Sequence, residues 1–537
     1  MSTQGHTSGF APFTLPVFRL IWTAALVSNI GSWMQSVGAQ WLLVEGGSSA
    51  FVIALVQTAA AAPVLLFAVP AGVIGEFLNR RHVLIYAQFV QLIVVGVLTY
   101  LTWTQQTTPT TLLATTFLLG VCSAVQLPAF QSLIPDIVPR EMITDAASLS
   151  SISVNIARAI GPAAAGLIVA QLGVAAVFAI NAVSFVFFLG VLILWRSYAP
   201  PRPRPEPFLD ATRAGLRYVL HSKIVRSTLV RLALFLVPAN ALWALLPTIA
   251  ETSLGLGAGG YGLLLGSLGV GSIIGGVLLP RVRSVLGANG VVLASSLVYG
   301  LALIVLVVSP SLWLTVPVLI AAGLAWLNVI AVINGSVQAF LPVWVRTRGL
   351  SIYQLALYGG SAVGATLAGV LASAVGADIA VVAAGAAVLV AGLSQFIWPV
   401  ASTAGIGREI VPIPGVLDVS RGSDDDQQVL VLVRYRVPES DRSAFIHVMR
   451  QVEQTRYRTG ARRWELYTDA DDSGMLVEAY AVGSWREHLS QHESRTTKFD
   501  SDLLARARAH SSEAPLVDHY IALIVPRRRS KIPPIEA

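Results

Sequence analysis

Twelve stretches of apolar residues, most of them twenty or more long and separated by short polar turns, occupy the first 400 positions of this chain. They fall at 18–44, 51–75, 83–103, 110–134, 146–170, 173–195, 224–250, 260–280, 290–308, 312–341, 350–375 and 378–399. About 20 apolar residues carry an α-helix across a hydrocarbon core. Lipid offers no partner to exposed backbone amides, so stretches of this kind span as helices. An all-α membrane protein is therefore expected over this region.

Charge divides the chain in two. Residues 1–400 hold 17 Lys+Arg and 9 Asp+Glu, whereas residues 401–537 hold 19 and 20. A membrane part followed by a water-soluble part explains that step. The net charge of +7 lies wholly in the membrane part, as cytoplasmic loops rich in Arg would place it. No basic stripe with interleaved aromatics appears, so nucleic acid is not an expected partner. The single cysteine, Cys122, lies inside a span and can form no intramolecular disulfide. The first 17 residues lack the basic start and cleavage site of a secretory signal, so the first span is expected to direct insertion.

Arg placement sets the expected orientation. With the N-terminus inside, the cytoplasmic segments hold Arg80, Arg81, Arg140, a cluster from Arg196 to Arg231, Arg281, Arg283, Arg346 and Arg348. The external turns hold no Lys or Arg, only Glu45, Glu251 and Asp378 near their edges. Both termini are then cytoplasmic. The longest break between spans, Arg196–Lys223, opens with the proline-rich RSYAPPRPRPEPF, which reads as a stiff extended linker. Six spans, a linker and six more suggest a duplicated carrier.

Pro128 to Gly166 supports duplication: the end of one span, a short turn and most of the next. About 207 residues downstream Gln131 and Pro135 find counterparts in Gln338 and Pro342, Arg140 roughly in Arg346, and Gly161 and Gly166 in Gly364 and Gly369. The expected division is a cytoplasmic tail at 1–17, six helices at 18–195, a linker at 196–223, six helices at 224–399 and a connector at 400–427. A soluble domain at 428–526 and a basic tail at 527–537 follow.

The soluble domain reads as β-α-β-β-α-β. VLVLVRYRV (429–437) alternates as a strand, and Phe445, Val448, Met449 and Val452 share one helical face. ARRWELYT and GMLVEAYAV flank the turn DADDSG, Ser484 to Glu487 has capping-box spacing, and a helix near 497–509 precedes the strand VDHYIALIV. This order is that of the ferredoxin-like split unit. His488 and His492 stand at i, i+4, a spacing that can bind zinc, yet the sequence offers no evident third ligand and no metal is expected.

The loop after span two reads Gly72-Val-Ile-Gly75-Glu76-Phe-Leu-Asn79-Arg80-Arg81. It resembles the major facilitator superfamily pattern Gly-x-x-x-Asp-Arg-x-Gly-Arg-Arg: Gly72, Arg80 and Arg81 match, Glu76 replaces the acid, and Phe77 and Asn79 depart. PAFQSLIPDIVPR, NIARAIGPAAAG and FAINAVSF, with the tail motif VEAYAVGSWREHLSQHESRTTKFD, are similar to the bacterial exporter branch that includes the enterobactin exporter and the transmembrane secretion effectors. The resemblance implies the major facilitator fold: twelve transmembrane helices in two six-helix halves plus a C-terminal cytoplasmic α+β ferredoxin-like domain. It implies an inner-membrane exporter of a small organic molecule (a siderophore, drug or other secondary metabolite) by alternating access and proton antiport, with no cofactor. Uptake by the same fold, or a tail that senses or modifies the cargo, stays open. The tail resembles cofactor-free monooxygenase-like domains, which pair their sheets, so a homodimer through it is implied.

Among single residues Arg158 is the sharpest. It lies about 18 Å along span five at ~1.5 Å per residue, and a charge so deep faces a cavity or a partner. With Asn155 it could line a cargo cavity; alternatively it could clamp onto carbonyls or Asp136. Gly161, Pro162 and Gly166, echoed by Gly364 and Gly369, read as helix-packing positions and resemble the antiporter motif of span five. Further cavity candidates are Asn29, Gln35, Gln131, Trp243, Asn328, Asn334 and Gln338, with Trp33 and Trp326 as stacking surfaces. Gly72, Glu76, Arg80, Arg81, Asp136, Arg140 and Arg346 form an expected cytoplasmic gate, in which Glu76 and the Arg pair make a charge lock or, alternatively, the Arg pair merely sets topology. No acid sits mid-span; Glu45 is the least poor candidate for proton coupling. No Walker-type phosphate loop exists, so ATP drive is not expected.

Overall fold

The computed structural model describes residues 10–77, 79–195, 208–309, 311–399, 407–411 and 427–522. The proline run at 200–207 and the basic tail at 527–537 lie outside them, as do the side chains of Gly72, Glu76 and Arg140. By contact the chain divides into two compact units. The first comprises Met1–Phe208, Ser227–Val337 and Ser351–Ser402; the second comprises Leu209–Arg226, Gln338–Leu350 and Thr403–Ala537.

The helical part runs α1 Pro16–Glu45, α2 Ala50–Phe77, α3 Arg80–Trp103, α4 Pro109–Ile137, α5 Ile143–Leu172 and α6 Val174–Leu194. It continues with α7 Phe208–His221, α8 Lys223–Thr252, α9 Ala258–Val308, α10 Leu312–Phe340, α11 Val343–Val375 and α12 Ala377–Leu393. Among the described residues ten of these are long and apolar enough to cross a membrane, against the twelve spans expected. Two features account for the difference. α1 is not among the ten: Ser28, Asn29, Ser32, Gln35, Ser36 and Gln40 dilute its apolar character. α9 is counted once although it bends where Gly287 takes φ 66° and ψ 177°, backbone that suits glycine because it has no Cβ.

The segment 196–223 is not simply an extended linker. Its second part is α7, in which Gly215, Tyr218, Val219 and Ser222 (just past its end) are buried at helical spacing. The prolines before it read as a linker, whereas the residues behind them carry an amphipathic helical period.

Small residues let the helices of the first unit approach closely. A Cβ on Gly161 would stand 2.6 Å from Trp33 Cβ on α1, and one on Gly166 would stand 2.7 Å from Gly262 Cα on α9. The echo behaves alike: a Cβ on Gly364 would meet the Val237 carbonyl of α8, and one on Gly369 would stand 2.8 Å from Ala54 Cβ on α2. So each helix of the pair, α5 or α11, uses one glycine against its own half and the next against the other half. Towards the middle of α5, Ala163 faces Gly266 and Ala159 faces Gly269, extending a seam of small residues between α5 and α9. Pro162 lies within α5 between the two contacts.

Polar bonds reinforce this seam. Gln40 donates from Nε2 to the Trp243 carbonyl at 3.2 Å and accepts from Tyr261 Oη at 2.7 Å. Thr58 Oγ1 and Thr366 Oγ1 lie 2.9 Å apart. These contacts join α1 and α2 to α8, α9 and α11.

The α+β part of the second unit contains β1 Val429–Arg436, α13 Arg442–Thr459, β2 Ala461–Thr468, β3 Met475–Val482, α14 Trp485–Ser490, α15 Lys498–Ala509 and β4 Leu516–Ile521. The sheet order is β2-β3-β1-β4 with every pairing antiparallel. Val429, Val431, Val433 and Tyr435 of β1 pack with Phe445, Met449 and Val452 of α13 and Leu504 and Ala507 of α15. A reciprocal capping box between Thr497 and Asp500 starts α15, and the Ser484 hydroxyl accepts from the Glu487 amide at the start of α14. Inside the core Glu478, fully buried, receives Arg456 Nε at 2.7 Å and Nη2 at 3.0 Å, with Trp464 Nε1 at 2.9 Å and Tyr435 Oη at 3.2 Å.

Placing a side chain into the α5–α9 seam tests its role. Gly262→Leu is expected to abolish transport while the protein still reaches the membrane, read by efflux and by membrane abundance. Gly257→Leu, with nothing within 4 Å of the added Cβ, is expected to retain activity.

Candidate transport site

The seam borders a belt of aromatic rings. Trp33 of α1 faces Trp243 of α8 with centroids 6.0 Å apart, and Trp243 faces Trp326 of α10 at 5.7 Å. Trp326 also meets Phe235 of α8 and Tyr299 of α9, each at 5.8 Å. Tyr299 donates its hydroxyl to the Ala239 carbonyl at 2.9 Å, which fixes that ring. Rings from α1, α8, α9 and α10 thus form one surface, and Trp33, Trp243 and Trp326 are each only half-buried.

Arg158 reaches this belt from α5. Its Cζ lies 5.7 Å from the Trp33 ring centroid. Its Nε is buried without a hydrogen-bond partner, and Tyr358 of α11 stands close enough to interact electrostatically. A cation at mid-depth costs about 2.5 to 3.5 kcal/mol on insertion scales. A cation–π contact returns about 0.5 to 2 kcal/mol. The ring alone therefore does not offset the charge. Asp136 is taken elsewhere: it accepts from Arg80 Nη1 at 3.0 Å.

Other Arg residues show what a structural role looks like. Arg81 donates from Nε to the Leu192 carbonyl and from Nη2 to the Ile193 carbonyl, both at 2.8 Å, capping the end of α6. Arg231, 6% exposed, donates to the Trp398 carbonyl. Arg80 and Asp136 form an ion pair that joins α3 to α4, whereas Arg81 caps α6; the side chain of Glu76, the acid expected to lock with the Arg pair, lies outside the described residues. Arg346 is exposed in the second unit.

The remaining candidates separate by environment. Gln35, 6% exposed, accepts from Asn181 Nδ2 at 3.2 Å and ties α1 to α6 inside the first half. Asn328 is 1% exposed, within the packing of the second half. Asn155 donates to the Ser151 carbonyl of its own helix at 3.0 Å and is half-buried, as are Asn29 and Asn334. Gln131 and Gln338 are exposed, Gln338 within the second unit. Tyr299, Phe235 and Tyr358 were not singled out from sequence; aromatic residues inside apolar spans carry no local mark of facing one another. Gly262, Gly266 and Gly269 were legible as a small-residue stripe in YGLLLGSLG.

In the second unit β4 supplies the third histidine that sequence spacing lacked. His488 and His492 have ring centroids 4.6 Å apart, and His519 lies 4.8 Å from His488. Among the described residues no group of three is placed to hold a metal ion. Burial, then the neighbouring His492 and His519, push His488 down to about 3. Burial, then Arg456, push His492 down to about 4, and burial lowers His519.

A family described as transmembrane secretion effector matches residues 7–527. The chain belongs to that family. Over 293 residues it is 25% identical to the staphyloferrin A transporter of Staphylococcus aureus, covering 53% of this chain and 72% of that protein. Over 329 residues it is 25% identical to the enterobactin exporter EntS of Salmonella choleraesuis, covering 59% of this chain and 76% of that one. Among solved structures, the nucleoside transporter NupG aligns with TM-score 0.59 at 12% identity, over 71% of this chain and 99% of its own. A bacterial homologue of the lysosomal transporter Spinster aligns with TM-score 0.57 at 14% identity, over 71% of this chain and 96% of its own. These likenesses show the fold, that of major facilitator transporters. As a member of the secretion effector family, the chain is a multi-pass membrane transporter.

The neutral histidines make the tail acid-sensitive. Unfolded, their imidazoles titrate near ~6.5, so below that the unfolded chain takes up protons that the fold refuses. Stability is complete above pH ~6.5 and is lost as pH falls towards about 4. Thermal unfolding of residues 425–526 is expected to shift downward from pH 7 to pH 5, and His488→Leu with His492→Leu is expected to flatten that slope.

Proposed function

We propose that this transporter exports a small anionic or oxygen-rich aromatic molecule, with the chain crossing the inner membrane twelve times, α9 supplying two crossings about Gly287. Both termini face the cytoplasm, as the Arg distribution favours. The two six-helix halves rock about the aromatic belt so that it opens to one side and then the other. The observation that carries the reading is Arg158, with no carboxylate partner among the described residues, standing over Trp33 where rings of α1, α8 and α10 meet. A guanidinium binds carboxylate or catecholate oxygens in a forked geometry, and flat rings stack on Trp. Staphyloferrin A and enterobactin, named for two relatives, direct the choice towards a siderophore or a similar secondary metabolite.

Proton antiport supplies the drive in this reading, with support from the family resemblance alone. Trp41 Nε1 donates to Glu45 Oε1 at 2.7 Å at the end of α1, which makes Glu45 the first acid to replace in a coupling assay.

The tail brings two copies together. The sheet face opposite α13 and α15 exposes Leu430 at 40%, Leu516 at 65%, Tyr520 at 49% and Tyr467 at 49%. A second copy of the same face covers such a patch.

Two outcomes check these proposals. Arg158→Ala is expected to lower efflux of the compound that accumulates on gene deletion by at least about tenfold, with Arg158→Lys intermediate, because Lys keeps charge without the fork. Full activity in both variants would remove Arg158 from cargo binding. Residues 425–526 are expected to sediment as a dimer and, with Leu516→Glu and Tyr520→Glu, as a monomer.

A further inference from the structure

A buried amide in an apolar span must find partners, because an unpaired one costs free energy wherever water is absent. Gln40 of α1 is 1% exposed and finds three. Its Nε2 donates to the Trp243 carbonyl of α8 at 3.2 Å. Its Oε1 accepts from Tyr261 Oη of α9 at 2.7 Å and from Gln57 Nε2 of α2 at 3.4 Å. A carbonyl only accepts, so the amide nitrogen must face Trp243 and the amide oxygen the other two. One side chain thereby ties four helices, two from each of the halves proposed above. Gln35, one turn earlier, bonds only Asn181 of α6 within its own half.

Neighbouring contacts hold the hub in place. Tyr261, fully buried, stacks on Trp41 of α1 with centroids 5.9 Å apart, and Trp41 Nε1 donates to Glu45 Oε1 at 2.7 Å. Beside it Thr58 Oγ1 of α2 meets Thr366 Oγ1 of α11 at 2.9 Å. All these residues belong to the first compact unit. They lie towards the turns at 46–49, 253–257 and Gly376, the side that the Arg distribution makes external. Trp243 is also the ring that stands between Trp33 and Trp326 in the belt, so Gln40 holds the backbone of a belt residue.

We propose that Gln40 is the latch on the external side of the aromatic belt, a positioning residue that acts through Trp243 and Tyr261 rather than by touching cargo. While its three bonds hold, α1 and α2 stay joined to α8 and α9 at that end, and the belt is closed to the outside. When they break, water entering from that side takes up the freed Tyr261 hydroxyl and Gln57 amide at little net cost. The latch therefore releases without a titrating group of its own. It rests on the orientation and alternating access proposed above, but its test requires no cargo.

Full-length protein in a Cys122→Ser background carries one reporter at a time and is labelled with a membrane-impermeant maleimide in right-side-out and in inverted vesicles. Thr366→Cys reports the gap between α2 and α11. Ser272→Cys reports packing inside one half, since Ser272 is 4% exposed and donates to the Gly323 carbonyl of α10 at 3.1 Å. In right-side-out vesicles Gln40→Leu is expected to raise labelling at 366 about tenfold, because the closed state alone makes the lost bonds. Tyr261→Phe, which keeps the ring and loses one bond, is expected to raise it about threefold. Labelling at 272 is expected to stay unchanged in both. Unchanged labelling at 366 overturns the latch, and if Gln40→Leu fails to reach the membrane, Tyr261→Phe decides alone. An equal rise at 272 overturns it too, since a merely structural residue loosens the whole bundle. A rise confined to inverted vesicles overturns its external placement. Efflux in Arg158→Ala bears on none of these readouts, so the exporter reading and the latch fail separately.

Discussion

The membrane part depends on backbone meeting backbone where Gly166 of α5 faces Gly262 of α9. In lipid no hydrophobic force drives helices together, so close van der Waals packing of small residues must do it. Ala163 with Gly266 and Ala159 with Gly269 extend that contact towards the middle of the bundle. Arg158 is the neighbour of Ala159 in sequence, so the seam sets the depth and direction from which the cation approaches the rings. Packing and the proposed recognition are therefore one construction: loosening the seam would displace the charge.

The same α5 and its counterpart α11 show how duplication is used. Gly161 and Gly364 each press against the first helix of their own half, and Gly166 and Gly369 each press against a helix of the other half. The two crossings between halves are thus related contacts made twice. In the proposed transport cycle the halves rock about such seams, which stay intact as pivots while the polar bonds at Gln40 and Thr58 break and reform. Hydrogen bonds between side chains suit that task, since each is worth little more than its replacement by water.

Much of this was legible before any coordinates. The β-α-β-β-α-β order, the strand at 461–468 and the register of the glycine echo follow from local periodicity and from repetition. The aromatic belt was half legible: Trp33, Trp243 and Trp326 stood out as large rings in spans, whereas Tyr299, Phe235 and Tyr358 did not. Gln35 and Asn328 read from sequence as cavity residues, yet lie within the packing of one half. A polar residue in an apolar span has two uses, bonding another helix or facing a cavity, and its sequence neighbourhood is alike in both. α7 is masked in the sequence by the prolines before it, which dominate the local signal.

What the sequence by itself determined is the alphabet of parts: apolar lengths that demand helices, a step in charge that demands a soluble domain, and small residues where helices must touch. These are properties of neighbours in the chain, set by hydrogen-bond satisfaction in lipid and by side-chain period. Tertiary structure alone decided the partners. It gave Asp136 to Arg80 and left Arg158 to a ring; it brought His519 of β4 to His488; it assigned α7 and the α10–α11 turn to the tail. Each pairing joins residues tens to hundreds of positions apart, and its geometry is fixed only when packing selects one arrangement among many that the same local sequence permits.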